Sequence, residues 1–288
     1  MNSAVETWDS YVAKWAAERS IRRLLLGFVS DPGTRALLAL FHELFEPLWV
    51  GREPHVAATK LTWWIDELPR IIDGGGRHPL CQALAADSRS QRLDSAQWQA
   101  PARAVMQALQ RDTATDFTTQ RRAAERLLEP FARLDTWFHF GTGVDFERSR
   151  AVASLLFLGQ DLTQLPERLN QACLPLPMQS LARHSLSRED LAGHSAAREA
   201  ALREYFLDLI QAYKQCHQLA GPLNACWMAE AWHDHRNLQR ACRQGREPLQ
   251  SYIDNRHRLG PRSAWVVWSA VRSMRYAVDH PMDTHRGS

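Results

Sequence analysis

Two acidic pairs carry most of the chemistry this sequence could perform. Glu43 and Glu46 stand three residues apart in Phe41-His42-Glu43-Leu44-Phe45-Glu46, and Asp66 and Glu67 adjoin in Lys60-Leu61-Thr62-Trp63-Trp64-Ile65-Asp66-Glu67-Leu68. On a helix, carboxylates at i and i+3 share a face. Facing acidic pairs on two helices could hold Mg²⁺ and, through it, a diphosphate. The plainer alternative is four solvated surface acids, with Asp66 and Arg70 in an ordinary i, i+4 ion pair, and the residues alone favour it. Cys216, His217, Cys226, His233 and His235 form C-H-x8-C-x6-H-x-H. That spacing matches no standard zinc site and reads as core thiols and surface histidines, so no metal site is expected there. There is no G-x-S-x-G and no C-x-x-C. Gly74-Gly75-Gly76 lacks the following Lys-Ser/Thr of a nucleotide loop and reads as a turn.

The elements that must position these groups are helical. Ala57, Leu61, Trp64, Leu68 and Ile71 recur at four and three, and Lys60, Trp63, Glu67 and Arg70 recur on another face of the same helix. The helical period predicts segments near 6–28, 32–48, 54–73, 95–112, 117–139, 145–165, 194–219, 222–243 and 261–276, with a short one after His78-Pro79. Asp31-Pro32 marks a helix start, with Asp31 as N-cap and Pro32 in the first turn. Ser187-Arg188-Glu189-Asp190 resembles a capping box. No stretch sustains a period of two. The expectation is an all-α protein with one domain over residues 1–276 and a polar tail over 277–288.

Composition bounds the function. The chain has 288 residues, 45% of them hydrophobic, with 35 basic and 32 acidic residues and a net charge of +3. This near-balance argues against a nucleic-acid binder, which needs a basic excess concentrated on one surface. The longest apolar runs, such as Leu24-Leu25-Leu26-Gly27-Phe28-Val29, fall far short of the ~18–20 residues that span a bilayer. Residues 1–9 lack the features of a signal peptide. Five scattered cysteines in such a chain read as reduced thiols, and a cytoplasmic location is expected.

Several of these segments, in order, resemble the squalene/phytoene synthase family. Phe41-His42-Glu43-Leu44, the Trp63-Trp64 helix ending in Glu67-Leu68, and His78-Pro79-Leu80 are similar to its aromatic-Arg/His-Glu-Leu, Leu-x-Trp-Trp-x-x-Glu-Leu and His-Pro segments. Cys173-Leu174-Pro175 and Ala182-Arg183-His184-Ser185-Leu186-Ser187-Arg188-Glu189-Asp190-Leu191 resemble its Tyr-Leu-Pro and Gly-Leu-Ser-x-x-Asp-Leu segments. The similarity spans roughly residues 18–275. It implies an all-α isoprenoid-synthase bundle around a central cavity, in which Mg²⁺ bridges prenyl diphosphates to two acidic motifs on facing helices.

The sequence departs from that pattern at the acids. The first motif falls on Phe45-Glu46-Pro47-Leu48-Trp49, so Phe45 and Trp49 stand where acids would. The second falls on Leu162 and Pro166 or, shifted by one residue, on Asp161 and Leu165. Leu38, Phe41, Phe45, Leu48 and Trp49 then form one apolar stripe, and an apolar wall makes hydrated Mg²⁺ costly to bind. The leading expectation is a catalytically degenerate member with no metal and no cofactor, its cavity lined by Phe41, Phe45, Trp49, Trp63 and Leu162. Such a protein would bind an isoprenoid or lipid, or act as an interaction or assembly factor, with peripheral contact to an inner membrane left open. The alternative is an active Mg²⁺-dependent prenyl diphosphate transferase using Glu43, Glu46, Asp66, Glu67 and Asp161.

Overall fold

A computed structural model describes residues 7–49, 53–169, 171, 173–243 and 247–279. Among these the regular structure is entirely helical. The order is α1 Trp8–Ala17, α2 Ser20–Leu26, α3 Pro32–Trp49, α4 Pro54–Glu67, α5 Pro79–Ala85, α6 Ser95–Ala108, α7 Phe117–Phe140, α8 Glu147–Thr163, α9 Leu165–Arg168, α10 Met178–Arg183, α11 Ala196–Cys216, α12 Ala225–Arg243, α13 Pro248–Arg256 and α14 Ser263–Asp279. Three 3-10 turns join them, Leu68–Ile71, Ser88–Arg92 and Glu189–Leu191.

The helices form because their apolar residues fall on single faces and their ends are capped. Asp31 accepts the Thr34 N–H at 2.9 Å at the start of α3. Asp94 and Gln97 close a capping box on α6. Gly141 ends α7 at φ 101°, a conformation that a side chain would strain. The Ser187 segment forms the expected reciprocal pair, with the Asp190 N–H donating to the Ser187 hydroxyl at 3.2 Å and the Ser187 N–H to Asp190 at 2.7 Å, but it opens only the 3-10 turn Glu189–Leu191.

The stretch near 6–28, read as one helix, is two. Arg19 sits between α1 and α2 in an extended conformation, and the break turns its side chain into the interior, where it is 1% exposed. The short helices α9, α10 and α13 went unread. Each begins at or next to a proline, and each is too short to show a period. At the far end, α14 continues past Tyr276 to Asp279, while residues 280–288 lie outside the described ones.

One apolar core runs from Val12 on α1 to Val267 on α14. The helices α3, α7, α8, α11 and α12 supply most of it, with α4, α5 and α6 closing one side and α13 and α14 the other. A buried polar pair sits inside α7. Asp135 accepts the Asn224 amide at 2.6 Å, and His139 Nε2 lies 3.6 Å from Asp135. Burial raises the Asp135 carboxyl to about 7, and burial lowers His139 to about 3.

Candidate functional site

Helix α3 has two working faces. The first looks into the middle of the bundle and is aromatic. Phe45 stacks on Phe131 of α7 with ring centroids 4.2 Å apart, and on Trp49 at 5.4 Å. Phe157 of α8 closes on both, 5.7 Å from Phe45 and 6.3 Å from Trp49. Phe41 meets Phe131 at 5.1 Å and Trp227 of α12 at 6.4 Å. What is left among these rings is a cavity of about 70 Å³, lined by Phe41, Phe45, Trp49, Phe157, Gln160 and Trp227 above Arg19, Arg22 and Glu230. Ligand pockets for drug-sized molecules are usually ~300 Å³ or more.

The other two residues expected to line this cavity do not. Trp63 is 42% exposed and packs its edge on Trp64 and His78 at the molecule's surface. Leu162 is fully buried in the core and lies outside the cavity wall. Behind Phe157 is a second cavity of about 320 Å³ between α6, α7 and α8, lined by alanines with Gln107, Arg111, Asp112, Gln120 and Arg126. The Phe157 ring lines both cavities, with the Arg111 guanidinium 5.1 Å from its centroid.

The second face of α3 carries Glu43 and Glu46, and it is closed by lysines. Lys14 of α1 lies 2.7 Å from Glu43 and 3.4 Å from Glu46. Lys60 of α4 lies 3.1 Å from Glu43 and pairs with Glu46 as well. Burial raises the Glu43 carboxyl, but hydrogen bonds and charge from Lys14 and Lys60 outweigh it and hold it below the usual range. The chain has only three lysines, and two of them are spent here.

The remaining acids lie elsewhere. Glu67 is 2% exposed, not a surface acid, and accepts the backbone N–H groups of Arg77 and of His78, the latter at 2.8 Å. Arg70 pairs with Glu67 at 3.7 Å instead of with Asp66, because the 3-10 turn after α4 shifts it from the helical register. Asp66 is exposed. Asp161 near the end of α8 is clamped by Arg111 at 2.8 Å and Arg168 at 3.0 Å. Arg168 also donates to the Leu48 carbonyl and so ties α9 to α3.

The five candidate acids therefore occupy three separate places, and four of them already have cationic partners. A Mg²⁺–diphosphate needs several unengaged carboxylates converging on one cavity. These residues do not fit it. Among the described residues, no three His, Cys, Asp or Glu side chains are placed to share a cation. Of the Cys/His group, His233 is held by the Arg258 carbonyl at 3.0 Å and Asn237 at 3.1 Å, while Cys216 and Cys226 are buried.

Beneath the aromatic cavity lies a polar network that sequence reading missed. Arg19 reaches Glu230 at 3.4 Å and Asp234 at 3.5 Å, both on α12. Arg22 pairs with Glu230 at 3.0 Å and Glu18 at 2.8 Å. Tyr252 and Tyr213 donate to Asp234 at 2.7 and 3.0 Å. Gln160 of α8 accepts from Arg19 and from Arg256, and Arg256 also donates to Thr163 at 3.0 Å. Burial, and then repulsion from Arg19, lowers Arg256 to about 10. Burial raises the Glu230 carboxyl, but the charges of Arg22 and Arg19 outweigh it and lower it. Arg19 and Arg22 thus pair with Glu18, Glu230 and Asp234, while Arg256 is held by Gln160 and Thr163. Its signal was present in sequence: Glu230, Asp234 and Asn237 recur at four and three among Cys226, Ala229, His233 and Ala241, a polar row on the buried face.

No family model and no curated protein matches this sequence. Among solved structures, the crystal structure of squalene synthase HpnC from Alicyclobacillus acidocaldarius is similar over 96% of this chain and 95% of that chain, with a TM-score of 0.53 and 14% sequence identity. At that identity the likeness is one of fold. The chain has the all-α terpenoid-synthase fold, a helical bundle around a central cavity.

Proposed function

We propose that this squalene-synthase-like chain no longer turns over prenyl diphosphates and acts by binding, as an interaction or assembly factor. One observation carries the reading. The positions that would hold Mg²⁺ are either rings that fill the cavity, Phe45 and Trp49, or acids already neutralised, Glu43 and Glu46 by Lys14 and Lys60 and Asp161 by Arg111 and Arg168. A cavity of about 70 Å³ also leaves no room for two prenyl chains. For scale, an apolar cavity of ~150 Å³ accommodates benzene.

The test is diphosphate release from farnesyl and geranylgeranyl diphosphate with Mg²⁺, with Glu46→Gln as control. No release above the protein-free blank is expected. Release that the Glu46→Gln variant abolishes would overturn the reading.

A ligand-binding form of the same proposal is favoured by the cavity of about 320 Å³ behind Phe157, which reaches the size of ordinary ligand pockets. Organic extraction of the purified protein followed by mass spectrometry separates the two forms. A stoichiometric isoprenoid or lipid supports the ligand-binding form, and its absence supports the interaction role.

A further inference from the structure

The outer face of α14 is unusual for a surface helix. Its inner face, Val267, Ala270 and Val271, packs on Ala225 and Met228 of α12. Its outer face carries Trp265 at 65% and Trp268 at 45% exposure, with Arg272 continuing the row at i+7 from Trp265. The Arg272 guanidinium lies 5.3 Å from the Trp268 ring centroid. Leu259, 46% exposed, extends the apolar strip into the preceding turn. Indoles are costly to leave in water and are favoured where one side is apolar and the other wet.

The sequence on either side of this strip is rich in positive charge. Residues 235–243 and 257–276 contain seven arginines and no Asp or Glu, in a chain whose net charge is only +3. Helices α12 and α14 run antiparallel, with the Ala225 N–H 3.4 Å from Met274 Sδ at one end and Arg240 beside Gly260 at the other. That places Arg236 and Arg240 next to the turn bearing Arg258, Leu259 and Arg262. Among the described residues, none of Arg236, Arg240, Arg258, Arg262 and Arg272 is in a salt bridge with an acid. Burial, and then the charge of Arg236, lowers Arg240, as expected where cations crowd.

We infer that this face docks on an anionic lipid surface, with Trp265, Trp268 and Leu259 entering the headgroup boundary and the surrounding arginines meeting lipid phosphates. Exposed indoles on an amphipathic helix, flanked by arginines without acidic partners, match the requirements of an interfacial helix. A single-stranded nucleic acid would need a groove to track its backbone, and neither cavity described above is lined by residues of this face. The inference is independent of whether the central cavity is catalytic.

The test is co-sedimentation of the full chain with vesicles of phosphatidylcholine alone and of phosphatidylcholine with phosphatidylglycerol. The wild type is expected to prefer the anionic vesicles by about tenfold or more, less at high salt. Trp265→Ser with Trp268→Ser should lower binding to the anionic vesicles by about tenfold, with far-UV circular dichroism unchanged because both side chains are exposed. Leu259→Ser, outside the helix, should lower it in the same direction. Arg262→Gln with Arg272→Gln should remove most of the anionic preference and its salt dependence. The inference falls if the wild type stays in the supernatant, or if the tryptophan pair sediments as the wild type does. It also falls if an oligonucleotide displaces the vesicles at equal charge. It falls too if the tryptophan pair instead dissociates a dimer, since the face then takes a second copy.

Discussion

Burial makes Asp135 and His139 change stability with pH in opposite directions. Asp135 is raised to about 7 from 3.8, so the stability it supplies is complete below about pH 4 and is lost as pH climbs through 7. His139 is lowered to about 3 from 6.5, so its contribution is complete above 6.5 and is lost as pH falls toward 3. Between pH 4 and 6.5 the two slopes oppose, each about 1.4 kcal/mol per unit, and the wild type should be nearly flat from this pair. Asp135→Asn should leave stability rising with pH over that window, and His139→Gln should leave it falling. Urea midpoints measured from pH 4 to 8 check both. This behaviour was not legible in the sequence, because both shifts come from burial, which only the tertiary packing sets. The same limit applies to Glu43. Its i, i+3 partner Glu46 was visible, but Lys14 and Lys60 arrive from two other helices, and their arrival separates a salt-bridge cluster from a metal site.

At the scale of elements, the Trp63-Trp64 helix earns its place by building a turn. Trp64 is buried and packs on His78 at 4.6 Å, with Tyr11 on His78 at 4.7 Å. The His78 Nδ1 caps α5 through the Leu80 N–H, and Glu67 anchors the Arg77 and His78 amides. Two of the segments that suggested a family, the Trp63-Trp64 helix and His78-Pro79-Leu80, are thus one structural joint between α4 and α5, which can persist without catalysis. Glu67→Ala should cost about 1–3 kcal/mol by removing the shared acceptor of two part-buried N–H groups, and Glu67→Gln should cost less because one oxygen remains to accept, measured by chemical denaturation. Gly159 is a second joint. A Cβ there would lie 2.6 Å from the Tyr252 hydroxyl and 2.7 Å from Asp234 Oδ2, so Gly159→Ala should destabilise by about 1–3 kcal/mol, visible as a lower melting temperature. Long helices were legible because their apolar residues repeat. The break at Arg19 was not, since apolar residues repeat at three and four on both sides of it and no Gly or Pro interrupts Ala16-Ala17-Glu18-Arg19-Ser20.

For the whole molecule, the all-α bundle was legible and the state of its centre was not. Sequence placed Phe45 and Trp49 at the motif positions, but the closing of Phe131 and Phe157 onto them is a tertiary event. Phe157→Ala should join the cavities of about 70 and 320 Å³ at a cost of about 3–5 kcal/mol. The joined space should admit a prenyl alcohol such as farnesol, and farnesol should raise the variant's melting temperature by more than it raises the wild type's. Failure of that rise would show that the walls collapse when the ring is removed.

The lysine clamp on Glu43 and Glu46 has a practical corollary. With Lys14 and Lys60 engaged, Lys214 on α11 is the exposed side-chain amine without a carboxylate beside it. Amine-directed reagents should therefore mark the folded chain first at Lys214. Peptide mapping of Lys60 would then serve as a local gauge of whether α1, α3 and α4 are still joined, independent of any activity assay.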